Sequence, residues 1–293
     1  MSDIILSIIT INFNGLSYTK NFLNSLYPFL TSEWEVIVVD NGSKEDEAIL
    51  LQKEYPWIKS IRSEKNLGFS GGNNLGVKQA KGEYFLFINN DVLIEQDCIS
   101  LLLNKIMNDP TIAAISPKIR NLDGSLNYAG CEPLDPYLHK IHYRNSEVDF
   151  HTVETPLIHG AAVMISKQAL KSVNGWPEEY FLYSEEVDLS LHLQKKGFHL
   201  LYEPRVELLH IGSCSTGKNS PLVCYYNARN RLLLYKRNLK GEKRFYAIAY
   251  HLLFIVPHNI INYLRQGKYD ILKAYIYGVM DFLIGHFGYK PFH

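Results

Sequence analysis

The feature that most constrains the fold is the alternation of short apolar runs with helical patterns through the first half of the chain. Five β-branched or aromatic runs, "ILSIITIN", "EVIVVD", "IKSIRS", "EYFLFINN" and "IAAISPKI", are separated by amphipathic segments such as "SYTKNFLNSLYP". Continuous apolar strands that alternate with helices are typical of a parallel sheet covered on both faces. We therefore predict an α/β fold with a mostly parallel sheet, completed by "HGAAVMIS", "FHLLYEP" and "RVELLHI".

Length and composition limit the class of protein. The 293 residues suffice for one large α/β domain or a domain with an appendage. With 46% hydrophobic and 20% charged residues, the chain has the composition of a folded globular protein. The formal net charge is zero, yet residues 225–293 contain 11 Lys and Arg against 3 Asp and Glu. A basic tail on an acidic body predicts different partners for the two parts.

Cysteine usage and the N-terminus predict a cytoplasmic protein. The four cysteines form no CxxC pair, so we expect ordinary reduced thiols. The start, "MSDIILSIITINF", lacks a basic region and a cleavage site, and we interpret it as the first strand rather than a signal peptide.

Polar residues follow two of the predicted strands. Asp40 ends one strand, and Asn89, Asn90 and Asp91 end another. Since ligands of such sheets bind beyond the carboxyl ends of the strands, both positions should face one crevice. Asn and Asp are also ordinary turn residues, so a simple turn is an equal alternative to a site where Asp91 binds Mg²⁺ or Mn²⁺.

A glycine-rich stretch, "NLGFSGGNNLG", lies where a loop enters a helix. Such a loop lets the backbone approach a phosphate or sugar, and a helix N-terminus favours anions. A flexible turn is the alternative, and the dinucleotide pattern G-x-G-x-x-G is absent from this stretch.

Three acids begin a late helix, and two basic candidates follow it. Glu185, Glu186 and Asp188 suit the helix macrodipole, but one of them could also be a general base in the crevice. His210 could be a strand-end residue, a metal ligand or a phosphate donor. Arg229 could lie on a solvated helix face or clamp a diphosphate.

The segment "GSCSTGKN" matches the spacing of a phosphate-binding P-loop, but Asn219 replaces the Ser or Thr that would hold Mg²⁺. Together with the missing dinucleotide pattern, this disfavours a P-loop or dinucleotide enzyme.

Taken together, the motifs resemble the inverting glycosyltransferases of family 2, in particular bacterial rhamnosyltransferase-like members. The matching elements stand in the family's order: "SIITINFNG", "VIVVDNGSKED", "NLGFSGGNNLG", "LFINNDV", "HGAAVMIS", "GWPEEYFLYSEEVDLSLHLQKKGF", "LLHIGSCS" and "YYNARNRLLL". The resemblance implies a GT-A fold, a Rossmann-like domain that we place at residues 1–235, with nucleotide-sugar and acceptor sites.

The resemblance also implies roles for individual residues. Asp91 would match the last acid of the metal-binding DXD motif, with Asn89 in place of its first acid, and His210 would lie near the metal and diphosphate. The acidic pair at the start of the late helix would contain the base, here Glu186, with Asp188 as the alternative. The nucleotide-binding candidates are Thr10, Asn12, Asp40, Asn66, Gly71, Asn73, Asn90 and Arg229.

The implied activity is transfer of a sugar from a nucleotide-diphosphate donor, either dTDP-rhamnose or a UDP-hexose, to a saccharide or lipid-linked saccharide. The product would be a cell-surface polysaccharide. Nucleic acid is not an expected partner, and the sequence leaves the oligomeric state open. A catalytically silent sugar-nucleotide-binding or scaffold protein of the same fold is the alternative.

Residues 236–293 are predicted to form a basic amphipathic helical extension. "FYAIAYHLLFIVPHNIINYL" is long enough to be considered a membrane span, but Pro257 and several polar residues weaken that interpretation. Cations flank it on both sides, which favours attachment to the anionic inner face of the cell membrane. An extension packed on the catalytic domain is the alternative.

Overall fold

A computed structural model describes residues 3–144, 146, 150–212 and 220–290. A central sheet with helices on both faces organises the described residues. Its strands are β1 Leu6–Asn12, β2 Trp34–Asp40, β3 Lys59–Arg62, β4 Tyr84–Ile88, β5 Val92–Leu93, β6 Ile112–Asn121, β7 Leu126–Tyr128, β8 Val153–Glu154, β9 Ala162–Ser166 and β10 His199–His210.

The helices connect and cover these strands. They are α1 Leu16–Leu26, α2 Glu47–Glu54, α3 Gly68–Gln79, α4 Ile99–Asn108, α5 Lys167–Ser172, α6 Glu185–Lys195, α7 Pro221–Asn238, α8 Gly241–Tyr250, α9 Val256–Arg265 and α10 Tyr269–Ile284. Short 3-10 turns occupy Tyr27–Phe29 and Glu178–Tyr180, and a π-helical turn at His251–Ile255 joins α8 to α9.

The sheet is parallel in its first half and mixed in its second. The strand order is β3-β2-β1-β4-β9-β6-β10-β5, and β1 to β4 run parallel as predicted. β9 lies antiparallel between β4 and β6, whereas β6 and β10 are parallel. The runs "FHLLYEP" and "RVELLHI", predicted as two strands, form the single strand β10 with an irregularity between Glu203 and Glu207. A buried apolar run does not reveal its direction, which is decided by its neighbours in the sheet.

Burial on both faces explains the continuous apolar runs. In β1, Ile8 packs in one hydrophobic cluster with Leu86 of β4, while Ile9 packs in a second cluster with Phe85. Successive side chains of a strand point to opposite faces, so both faces of β1 and β4 are covered.

The parallel register places polar strand ends at one edge of the sheet. Asn12 pairs with Asp40, and Asp40 pairs with Arg62. β4 ends at Ile88, immediately before Asn89. The carboxyl ends of four neighbouring strands therefore meet at this edge.

The C-terminal helices pack on α7. Gly278 of α10 allows this approach, because a Cβ at this position would lie only 2.4 Å from the Tyr225 carbonyl oxygen of α7. The boundary predicted between residues 235 and 236 falls inside α7. The division of the chain into residues 1–235 and 236–293 stays a prediction. Among the described residues, one helix, Gly241–Arg265, has the length and hydropathy that a membrane span needs, and 11% of its apolar window is buried.

Candidate functional site

Asp40 is a buried carboxylate at the end of β2. Its Oδ1 accepts the Ser43 backbone N–H at 3.1 Å, and its Oδ2 lies 3.6 Å from Nη1 of Arg62 without a hydrogen bond among the described residues. One buried carboxylate oxygen at the carboxyl edge of the sheet thus has an ion-pair contact but no hydrogen-bond donor among the described residues.

The side chain of Asn12 is occupied by the protein itself. Its Nδ2 donates to Oε2 of Glu47 at 2.6 Å, and its Oδ1 accepts from the Thr19 hydroxyl at 2.7 Å. The same hydroxyl accepts from Nδ2 of Asn90 at 2.8 Å. Thr19, which the sequence gave no reason to choose, therefore bridges two predicted site residues. Thr10 is buried, and its hydroxyl has no hydrogen-bond partner among the described residues.

The glycine-rich loop is held by an asparagine that sequence reasoning missed. Asn41 donates from Nδ2 to the Gly68 carbonyl at 3.0 Å and to Oδ1 of Asn66 at 3.2 Å, and its Oδ1 accepts the Leu67 N–H at 3.0 Å. Oδ1 of Asn66 also accepts the Gly68 N–H at 2.8 Å. Its place one residue after Asp40 was the signal that could have identified Asn41.

Gly68 joins this loop to the segment that precedes α6. It has φ +73°, and a Cβ there would lie 2.3 Å from the carbonyl oxygen of Phe181. That carbonyl accepts the Phe69 N–H at 2.8 Å. Further along, Gly71 and Asn73 are buried in the first turns of α3, and Nδ2 of Asn73 has no hydrogen-bond partner among the described residues.

Asp91 and His210 are brought together by the pairing of β5 with β10. Val92 pairs with His210, and the Ile211 N–H donates to the Asp91 carbonyl at 2.9 Å. As a result, Nε2 of His210 lies 3.1 Å from Oδ1 of Asp91. Both side chains are largely buried, and neither atom has a regular hydrogen bond among the described residues.

This pair fits a divalent cation that retains other ligands. Mg²⁺ and Mn²⁺ take carboxylate oxygens, and Mg²⁺ typically binds through one or two carboxylates together with waters and phosphates. Within the described ranges, no group of three or more His, Cys, Asp or Glu side chains could hold a metal. The side chains of Asp91 and His210 could therefore supply two ligands, and the remaining positions would be left to water and substrate.

The acidic residues of α6 have two different environments. Glu185 is buried, its Oε2 has no partner among the described residues, and burial followed by repulsion from Glu186 raises its pKa well above the ordinary value. Glu186 is half-buried; burial raises its pKa, while the positive charge of Arg231 partly opposes that shift. Ser184 has φ +74° and makes no capping hydrogen bond with its side chain.

Asp188 is enclosed by donors, with 1% of its residue surface exposed. It accepts from the Tyr180 hydroxyl at 2.9 Å, from Nε and Nη2 of Arg237 at 3.1–3.2 Å, and from Nδ2 of Asn238. His192 lies 3.3 Å from its Oδ2. Burial raises the pKa of Asp188, but the bonds from His192 and Arg237 outweigh it and leave the pKa below its ordinary value. This carboxylate joins α6 to α7.

Arg229 is likewise enclosed. Its guanidinium donates to the carbonyls of Tyr180 at 2.8 Å and Gly288 at 2.7 Å, and to Oδ1 of Asn230 at 3.0 Å. It also stacks on the Tyr226 ring, 4.9 Å from the ring centroid. Both interpretations of Arg229, a solvated face and a diphosphate clamp, fail here, because 1% of the residue is exposed and its donors are used inside the fold.

Two side chains that the sequence did not single out interact electrostatically with His210 and with Glu186. His159 interacts electrostatically with His210, and its ring centroid is 5.9 Å from that of Tyr143. Tyr143 in turn interacts with Glu186: burial, followed by the negative charge of Glu186, raises the pKa of its hydroxyl. The ring contact between His159 and Tyr143, with the electrostatic interactions of His159 with His210 and of Tyr143 with Glu186, thus relates the Asp91–His210 pair to Glu186. His159 is the histidine that begins "HGAAVMIS", and its place next to a predicted strand was the signal that could have identified it.

Two surface cavities occupy other parts of the described structure. One of about 300 Å³ is bordered by Asn74, Trp176, Asp188 and Arg237, and one of about 480 Å³ by Lys105 and Glu154 among others. Asp40, Asp91 and Glu186 are not among their described lining residues. The "GSCSTGKN" segment, apart from Gly212, lies outside the described residues.

A family model and several curated proteins match this sequence. The model of glycosyl transferase family 2 matches residues 7–173. An N-acetylglucosaminyl-diphospho-decaprenol L-rhamnosyltransferase of Mycobacterium tuberculosis is 25% identical over 247 residues, which cover 75% of this chain and 80% of the relative. A low-salt glycan biosynthesis hexosyltransferase of Haloferax volcanii is 26% identical over 291 residues, 94% of this chain and 90% of the relative.

Solved structures show the same fold at low identity. GalNAc-T7 with UDP, GalNAc and Mn²⁺ matches 77% of this chain with a TM-score of 0.62 and 17% identity, and this chain spans about half, 47%, of that one. A mannosyltransferase of Pyrobaculum calidifontis with GDP-Man and Mn²⁺ matches 95% of this chain and 86% of its own, with a TM-score of 0.58 and 14% identity. These likenesses confirm the expected GT-A fold. Since the family model matches more than half of its residues, the chain belongs to glycosyl transferase family 2.

Proposed function

We propose that this chain is an inverting glycosyltransferase that moves a sugar from a nucleotide-diphosphate donor to a hydroxyl of a saccharide or lipid-linked saccharide. The observation that carries the proposal is the approach of Asp91 to His210, together with the ring contact and electrostatic interactions that relate this pair to Glu186 through His159 and Tyr143. At one end, Asp91 and His210 could supply two ligands of a cation, and at the other, burial raises the pKa of the Glu186 carboxyl group. The nucleoside would bind at the carboxyl edge near Asp40.

Glu186 is the proposed general base. The carboxylate removes the proton of the acceptor hydroxyl while that oxygen attacks the anomeric carbon from the face opposite the diphosphate, so the anomeric configuration inverts. A carboxyl group whose pKa is raised toward neutrality is a better base than an ordinary one, and general-base assistance contributes about 10²–10⁴-fold. Asp188 is a weaker candidate because its oxygens are already occupied by Arg237, Tyr180 and Asn238.

The residues present fit a divalent cation at Asp91 and His210. When bound there, Mg²⁺ or Mn²⁺ would stabilise the negative charge that develops on the departing diphosphate. Two solved relatives in fold contain Mn²⁺ together with a nucleotide or nucleotide sugar, which supports this choice of ion.

The relatives support a class of substrate. One is named as an L-rhamnosyltransferase acting on a diphospho-decaprenol-linked sugar, and another as a glycan hexosyltransferase. We propose dTDP-rhamnose or a UDP-hexose as the donor, and cell-surface polysaccharide synthesis as the process.

The decisive assay measures release of nucleoside diphosphate from a panel of nucleotide sugars with Mn²⁺ and a lipid-linked or saccharide acceptor. Acceptor-dependent release by the wild type, absent from Glu186→Gln, supports the enzyme. If the wild type binds nucleotide sugars in a thermal-shift assay but releases no diphosphate with any acceptor, the catalytically silent alternative is favoured. The anomeric configuration of the product, read by NMR, tests inversion.

We further propose that residues 236–293 form an extension that holds residues 1–235 at the inner face of the cell membrane. The extension exposes large apolar side chains beside cations, and Phe254 retains 62% of its surface accessible. Anionic lipid would attract Lys236, Lys240 and Lys243, and the apolar groups would enter the interface.

Vesicle sedimentation with the full-length chain tests this attachment. Replacing Phe245, Leu253 and Phe254 with Ser should weaken binding to anionic vesicles. A matched control with Ile49→Ser and Leu122→Ser, two exposed apolar residues outside the extension, should bind like the wild type. Equal binding by all three proteins would argue against the proposal.

A further inference from the structure

His159 is a neutral hydrogen-bond donor by its geometry. Its Nδ1 lies 3.2 Å from the backbone nitrogen of Ala161 and accepts that N–H. An imidazolium has no lone pair to accept with, so this bond requires the neutral ring with its proton on Nε2.

The ring is held in one orientation. The Tyr128 ring packs against it at 4.9 Å between centroids, and the Tyr143 ring lies at 5.9 Å. The backbone is held as well, since the His159 N–H donates to the Ser116 hydroxyl at 3.2 Å. On the other side of Ala161, its carbonyl accepts the Asn89 N–H at 2.9 Å, which ties this turn to the metal-side loop.

Nε2 of His159 has no hydrogen-bond acceptor among the residues that the structure describes. His159 is not fully enclosed, so a ligand or water can reach it. The side chain is therefore a fixed donor without a described acceptor.

Its interactions suggest which part of a ligand it would contact. His159 interacts electrostatically with His210, at the end proposed for the cation and diphosphate, and its ring lies 5.9 Å from that of Tyr143, which interacts electrostatically with Glu186. In a direct displacement, the transferred sugar lies between the departing diphosphate and the attacking hydroxyl. The sugar would thus occupy the space between these two ends.

We propose that His159 determines sugar recognition by donating a hydrogen bond from Nε2 to a hydroxyl oxygen of the transferred sugar. This inference rests on the proposed function, which it deepens by assigning a contact to the sugar and not to the nucleotide. Sugars that present a hydroxyl oxygen at that point are favoured over deoxy analogues.

The test compares binding of a nucleotide sugar with binding of its nucleoside diphosphate, by calorimetry with Mn²⁺ and the donor that the wild type turns over. His159→Phe keeps an aromatic ring between Tyr128 and Tyr143 but removes the donor. We expect its affinity for the nucleotide sugar to fall about 2- to 10-fold, the range of one neutral hydrogen bond, with nucleoside diphosphate affinity unchanged. KM should rise by a similar factor. His159→Gln, which retains an N–H donor, should recover part of the loss.

Deoxy analogues of the donor sugar give a second readout that does not depend on folding of a variant. Wild type should bind one deoxy analogue as weakly as His159→Phe binds the full sugar, and the variant should not distinguish the two. Unchanged sugar affinity in His159→Phe, or equal loss of sugar and diphosphate affinity, would overturn the inference. If the wild type binds no nucleotide sugar at all, the proposed function fails first, and the two failures are thus distinguishable. If His159→Phe does not fold, the deoxy analogues still decide: the inference is overturned if the wild type binds every deoxy analogue as tightly as the full sugar.

Discussion

Two neighbouring carboxylates of α6 should respond in opposite ways to the loss of their charge. Glu186→Gln removes the proposed base from a half-buried position where the carboxylate makes no hydrogen bond to another described residue and interacts with Arg231 only through its charge. Transfer should fall at least about 100-fold, the low end for general-base catalysis, which corresponds to about 2.7 kcal/mol of barrier. The melting temperature should stay near that of the wild type.

Asp188→Asn removes the negative charge of a buried carboxylate that pairs with Arg237 and His192 and accepts a hydrogen bond from the Tyr180 hydroxyl. Breaking a buried ion pair on one side costs about 3–5 kcal/mol, and we take the lower end because Arg237 is 30% exposed. At about 2.1 cal/mol/K of unfolding entropy per residue, a chain of 293 residues has about 0.6 kcal/mol/K. A loss of about 3 kcal/mol therefore lowers the melting temperature by about 5 °C.

The assay pairs single-turnover transfer with thermal unfolding of the same samples. Activity is expressed per folded molecule at a temperature well below both transitions, so that the stability loss of Asp188→Asn does not imitate a catalytic loss. Normal turnover by Glu186→Gln beside a 100-fold loss in fully folded Asp188→Asn would reverse the assignment and refute our reading of the hydrogen bonds.

Three further outcomes are expected. Asp91→Ala should remove the dependence of turnover on Mn²⁺ concentration along with most activity, whereas undiminished metal-dependent turnover would exclude its role as a ligand. Burial raises the pKa of Glu186, so kcat/KM of the wild type should rise with pH above the ordinary glutamate range. Because the charge of Arg231 opposes that shift, Arg231→Gln should move the midpoint of this rise to still higher pH, and a midpoint that is unchanged or lower would contradict the assignment. Gly68→Ala should lower the free energy of unfolding, measured by urea titration, more than Gly124→Ala does. Both glycines have positive φ, which costs about 1–2 kcal/mol for alanine, but of the two only Gly68 would bring its Cβ against backbone atoms. Equal losses would show that the chain relaxes at the close approach to Phe181.

The local sequence predicted the strands of the parallel half and the edge where they end, for physical reasons that act over short distances. Period and apolar content of "EVIVVD" or "EYFLFINN" identify buried strands without knowledge of their neighbours. The direction of β9 was not predictable, because the same run "AVMIS" can pair either way and only its position between β4 and β6 decides.

Arg229 and Asp188 show the limit of reading charges from a sequence. Each stands in a polar, helical context that suits a solvated face or a ligand contact equally well. Their partners come from segments far along the chain: Gly288 and Tyr180 for Arg229, and Arg237 and Asn238 for Asp188. A buried charge needs such partners, and only the folded chain brings these distant segments together.

By itself, the sequence determined that buried strands form a sheet covered by helices, that the polar ends of β1 to β4 collect at one edge, and, through an ordered set of motifs, that the chain belongs to the glycosyltransferase family. Only the tertiary structure decided which polar side chains, such as Asp188 and Arg229, are hydrogen-bonded inside the fold, and which, such as Asp91 and His210, have atoms without a hydrogen bond among the described residues. Pairing of β5 with β10 brings His210 to Asp91, and a turn before β9 places His159 near Tyr143. These neighbours are distant in sequence, so no local propensity or spacing encodes their proximity.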